Sequence, residues 1–143
     1  MKQLGRLTVG VLVTCLVLGG CTTMTSRPIE DQAWMLAELG GASVEPAHGG
    51  RRAFLVFDAG PPQRVSGSTG CNRLAGTYQL SGARIALGQV ATTRMACLEG
   101  MEQERAFLAM LAALDGWRIA DGRLELLDAQ GELLARFTAG TQP

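Results

Sequence analysis

The chain has 143 residues, 13 basic and 13 acidic, so its formal charge at neutral pH is zero. That balance offers no electrostatic footprint for nucleic acid, and the length suits one domain with a modest core. A single histidine and four cysteines leave few side chains for metal or acid–base chemistry.

Lys2 and Arg6 precede LTVGVLVTCLVL (residues 7–18), a run without charge. As a helix it rises only ~18 Å, too short to span a bilayer and suited to the apolar core of a signal peptide. LGGC (residues 18–21) ends it with small residues before a cysteine. This resembles the bacterial lipoprotein signal, in which Cys21 is lipidated and the peptide bond before it is cut. A generic secretory peptide explains the apolar run but not Cys21, and a retained anchor is a third alternative. The resemblance implies a signal peptide over 1–20, then a lipidated N-terminus and polar tether over 21–32. A soluble body would follow, held at a membrane by several acyl chains. Thr22, standing where an aspartate would retain the protein, implies the outer membrane. The expected location is the bacterial cell envelope, facing the periplasm. Loss of Lys2 and Arg6 leaves acidic residues in slight excess, so no nucleic-acid partner is expected.

Along the mature chain, AWMLAEL (residues 33–39) reads as a first strand or a helical turn ending at Gly40-Gly41, with Trp34 as a core anchor. EPAHGGR (45–51) is a loop, AFLVFD (53–58) a strand halted by Gly60, Pro61 and Pro62, and QRVSG (63–67) a short strand. TYQLSGARIALG (77–88) predicts a hairpin. Its turn falls at Ser81-Gly82, with Tyr78, Leu80, Ile85 and Leu87 alternating around it.

The period changes to helical from Glu99 to Asp115. Met101, Phe107, Leu108, Leu111 and Leu114 gather on one side and Glu102, Glu104 and Arg105 on the other. Gly116 stands as a C-cap. WRI (117–119), GRLELLD (122–128) and ELLARFT (132–138) complete the strands. The expected fold class is α+β, mainly antiparallel β. The architecture is a small curled sheet or partly closed β-barrel with one packed helix, the alternative being an α+β sandwich.

GCNRLAGTY (70–78), ATTRMAC (91–97), a helix with Glu102 and Phe107, and GRLELL (122–127) together resemble the META domain family. Its best-known bacterial members are HslJ-like heat-shock lipoproteins. Trp34, Leu36, Leu39 and Gly41 nearly match the family's early pattern, with a one-residue departure. The resemblance covers residues 33–138, leaving 139–143 as a tail. It implies a small mixed-β fold, secreted or membrane-attached, associated with stress response and antibiotic tolerance. It carries no catalytic residues, cofactor or substrate.

Cys71 and Cys97 are the cysteines left once Cys21 is lipidated and Cys15 departs. In an oxidising periplasm they can pair; closing about 27 residues stabilises by ~3–4 kcal/mol on loop entropy. The alternatives are two packed thiols and redox catalysis, for which the spacing is far from Cys-x-x-Cys. Gly67, Gly70 and Gly76 predict positive φ or close strand approach, and Asn72 is expected to satisfy backbone groups.

Arg73 and Arg94 flank the cysteines. They form either a small anion- or partner-contacting spot or ion pairs with Glu99 or Glu102. Nothing fixes His48 against Cys71, Ser66, Ser68 or Thr69, so no catalytic set, cofactor or metal is expected. Two functions follow. One is a non-enzymatic envelope protein supporting integrity, stress response or antibiotic tolerance through contact with another protein or a cell-wall component. The other is a periplasmic binding module for a small apolar or amphipathic ligand, inside or at the mouth of the curled sheet.

Overall fold

A computed structural model describes residues 29–45 and 51–141. Cys21 and His48, with the signal and lipidation readings, lie outside the described residues. Ten strands and one helix follow in the order β1 (Ala33–Leu39), β2 (Ala42–Ser43), β3 (Phe54–Asp58), β4 (Arg64–Ser68), β5 (Arg73–Ser81), β6 (Arg84–Leu87), β7 (Ala91–Thr92), α1 (Met101–Ala113), β8 (Gly116–Ala120), β9 (Arg123–Leu127) and β10 (Leu133–Gly140). Every ladder is antiparallel. The path β1-β3-β4-β5-β6-β8-β9-β10 returns to β1 through the β1–β10 ladder, so one curled sheet meets itself as a ring. A sandwich would need two facing sheets, and the described residues form one.

Alternation sets the inside of this ring, because successive strand side chains point to opposite faces. Trp34 and Leu36, Leu55 and Phe57, Leu124 and Leu126, and Ala135 and Phe137 are each two apart and buried. Tyr78 lies directly opposite Leu87, and Leu80 opposite Ile85, across the expected hairpin. Its turn is Gly82-Ala83, one residue later than expected, since Ser81 still pairs with Arg84. Gly82 has φ +60°, at the first central position of a two-residue turn, where glycine is favoured. Two strands are too short to alternate: β2 and β7 have two residues each, which is why the sequence did not disclose them.

The helix buries Phe107 and Leu111 as expected, with Leu108 and Leu114 packed against the core, and departs from its expected face elsewhere. Its buried residues are Glu104, Phe107, Met110 and Leu111, while Met101 is 43% exposed. Glu104, Phe107 and Leu111 share one stripe, which binary patterning rejects because it brings in a carboxylate. Gly116 is not a C-cap: α1 ends at Leu114 in extended conformation, and Gly116 opens β8. The chain passes directly from helix to strand, without the left-handed turn a C-cap glycine would provide.

The helix and residues 29–32 occupy opposite rims. The residues after β1 and β4, and those between β9 and β10, lie at the rim that α1 covers, as Gln103 bonding to Thr69 requires. At the other rim sits the loop after β3, together with residues 29–32. Ile29 is 1% exposed, and its carbonyl accepts from the Trp34 indole at 2.8 Å. The Glu30 carboxylate accepts from the Tyr78 hydroxyl at 2.7 Å and from the Gln63 amide at 3.0 Å. Residues 29–32, expected to be tether, therefore pack into the folded unit.

Candidate functional site

The loop between β4 and β5 is built around a fully buried threonine. Thr69 Oγ1 accepts from the backbone N–H of Asn72 (2.9 Å) and of Cys71 (3.3 Å), and donates to Asn72 O (3.2 Å). The tight turn this produces needs Gly70 at φ +96°, a region side chains avoid. A Cβ there would also sit 2.9 Å from Gln103 Nε2, which donates to Thr69 O at 2.9 Å. Gly67 and Gly76 serve close approach: a Cβ on the first would run into the Phe54 carbonyl oxygen. On the second it would lie 2.7 Å from Gln89 O.

Asn72, 2% exposed, joins three segments. Its amide donates to both Glu104 carboxylate oxygens at 3.0 Å and to Met95 O at 3.1 Å. Its carbonyl oxygen accepts from Met95 N–H (2.8 Å) and the Thr93 hydroxyl (2.7 Å). Two donors and two lone pairs are thereby all engaged. Cys71 and Cys97 form a disulfide, with Cα atoms 6.0 Å apart. The same segment is pinned once more, by Thr93 N–H donating to Arg73 O at 3.0 Å.

This network holds residues 93–100, which have no helix or strand, against the body. Outward from the clamp point Met95 (53% exposed), Leu98 (fully exposed) and Met101, the large exposed hydrophobics of the described residues. Arg73 and Arg94 are also exposed, and the ion pairs among the described residues involve neither. The tie to the helix exists, but Asn72 and Glu104 make it instead of an arginine. Glu104 was missed because a lone glutamate on a helix reads as solvent-facing. Only its place opposite a buried amide 32 residues away reveals its role.

The META domain profile matches residues 27–141. The chain belongs to the META domain family. The match starts before Trp34 and ends after Thr138, in agreement with the packing of Ile29 and the extension of β10 to Gly140. A protein from Burkholderia xenovorans, solved by NMR, is similar at 27% identity with a TM-score of 0.64, over 80% of this chain and 85% of that one. A second NMR structure is 22% identical with a TM-score of 0.58, covers 76% of this chain and 90% of its own, and supports the fold alone. No curated protein matches the sequence.

Three further features of this META domain bear on function. The interior of the ring is filled: Trp34, Leu55, Phe57, Leu124, Leu126 and Phe137 are all at 0% exposure. At the helix-covered rim, by contrast, an open groove of about 590 Å³ separates α1 from β1, β2 and the start of β10. At the opposite rim the Tyr78 hydroxyl titrates well above its ordinary value of 10.0. Burial is the first cause, and the Glu30 carboxylate beside it the second. Among the described residues no three metal-ligating side chains cluster, and no helix is long and apolar enough to cross a membrane.

Proposed function

We propose that this META domain is a lipid-anchored protein of the bacterial envelope, in the periplasm and sorted to the outer membrane, that acts by contact and not by catalysis. One observation carries the reading. The most exposed large hydrophobic side chains are Met95 and Leu98, which project from a segment without regular structure, and Met101 beside them at the start of α1. A disulfide and a buried Asn72 network nevertheless fix that segment in place. Fixing an apolar prominence lowers the entropy lost when it docks. The motif's polar groups point the same way: Cys71 is bonded to Cys97, and the Thr69 hydroxyl and Asn72 amide are engaged internally. Ile29 lies at the other rim, so a tether leaving from it would present the prominence away from the anchoring membrane.

The test has two arms. The wild-type chain should fractionate with membranes and carry acyl groups on Cys21, whereas Cys21→Ser should be released. A photo-crosslinking residue at position 98 should yield a discrete envelope adduct that disappears when Met95→Asp is added, while the same probe at exposed Gln130 yields none. Equal adducts from positions 98 and 130 would overturn the contact reading. The second reading is ligand binding at the mouth of the sheet, favoured by the open groove beside α1.

A further inference from the structure

The groove beside α1 has a floor of one chemistry and an edge of another. Leu39, Val44, Met110 and Leu134 supply apolar surface, and among the described residues no lysine, arginine or histidine lines it. Glu45 and Glu102 stand on its two sides, one following β2 and one in the first turn of α1, and both are exposed. Neither takes an ion pair or hydrogen bond from a described residue, in contrast to Glu38, Glu104 and Glu125. The volume of about 590 Å³ falls within the range of small-molecule clefts.

We infer that this groove binds single-chain cationic amphiphiles, the alkyl chain along Leu39, Met110 and Leu134 and the ammonium head between Glu45 and Glu102. The inference rests on the ligand-binding reading and is independent of contact through Leu98. Apolar walls keep water from one side of the head, so a charge beside two carboxylates interacts more strongly than it would in bulk. The positive end of the α1 dipole would favour an anion, but the first turn already carries Glu102 and Glu104. An anionic head therefore meets like charge, and a neutral head gains only the chain's burial.

The test uses the whole chain with ¹³C-methyl methionine. Met110 reports on the groove, buried Met35 on the fold, and Met95 and Met101 on nearby surface. Decyltrimethylammonium, decyl maltoside and decyl sulfate are titrated below their micellar concentrations. The Met110 methyl should shift saturably with the ammonium compound, about tenfold more tightly than with the sulfate, and the preference should shrink as salt rises.

Glu45→Gln with Glu102→Gln should weaken the ammonium compound roughly three- to tenfold and leave the maltoside unchanged. Ala106→Trp, on the exposed face bordering the groove, should abolish the Met110 shift for every head group. Equal affinity for the three heads would overturn the charge preference while leaving ligand binding intact. No Met110 shift with any of them would overturn both.

Discussion

At the scale of the residue, Asn72 and Glu104 decide how the motif loop, the 93–100 segment and the helix are joined. A carboxylate at 7% exposure is costly unless hydrogen-bonded, and the Asn72 amide bonds both of its oxygens. Asn72→Ala leaves the carboxylate and Met95 O without that donor, and should cost about 3 kcal/mol in urea unfolding. Combining it with Glu104→Leu should cost less than the two single changes summed, by about 1–3 kcal/mol. Strict additivity would mean that the pair does not interact. Tyr78 gives a second prediction, in pH. Its folded-state value is raised, so its stabilising contribution is complete below about pH 10, the unfolded value, and is lost as pH climbs toward the folded value. It is also the only tyrosine, so tyrosinate absorbance follows it directly. The native chain should titrate above the urea-unfolded chain, and Tyr78→Phe should flatten the decline of stability beyond pH 10. Identical titrations in the two states would contradict the burial and the Glu30 contact as causes.

At the scale of the element, strands with alternating apolar residues were readable and features set by distant partners were not. The β5–β6 hairpin announced itself through Tyr78, Leu80, Ile85 and Leu87, because every second side chain must face the core. The first four residues of β5 did not: in RLAG a glycine stands where an inward side chain would, since the chain at Gln89 passes over Gly76. For α1 the helical period was clear and its orientation was not. Burial of Glu104 depends on an amide 32 residues away, and no local pattern encodes that. The disulfide was one of several open readings, since spacing says nothing of the 6.0 Å between the two Cα atoms. The groove was invisible, because Leu39, Met110 and Leu134 come from three elements and meet only in the fold. Charges across strands behave similarly. Arg136 reaches Glu38 on β1 and Glu125 on β9, and Glu125 also takes Arg118 from β8. Burial pushes the Glu125 carboxyl up, but bonds from Arg118 and Arg136 outweigh it and hold it below its ordinary range.

At the scale of the whole molecule, the ring is unevenly closed. The β1–β10 ladder matches six residue pairs, and the charge row from Glu38 to Arg118 spans the strands on either side of it. The β6–β8 junction has one pair, Arg84 with Gly116. Two backbone bonds flank it, Ile85 N–H to Asp115 O and Trp117 N–H to Ala83 O, both 2.9 Å. An Arg84–Asp115 ion pair lies outside, and with Arg84 largely exposed such a pair contributes only ~0–1 kcal/mol. The helix end rests on this junction, since Asp115 N–H also donates to Leu127 O. Local opening follows the elements with the fewest buried contacts and most exposed hydrogen bonds, so the ring should open between β6 and β8 before it opens at β1–β10. Native-state hydrogen exchange tests this directly. The Ile85 and Trp117 amides should exchange by openings smaller than global unfolding. The bonded amides of the β1–β10 ladder should require the global event. Arg84→Ala should speed exchange at Ile85 and Trp117 a few-fold and leave the β1–β10 amides unchanged. Equal protection at the two junctions would mean that the packing of Trp117 against the core, and not ladder length, sets where the ring gives way.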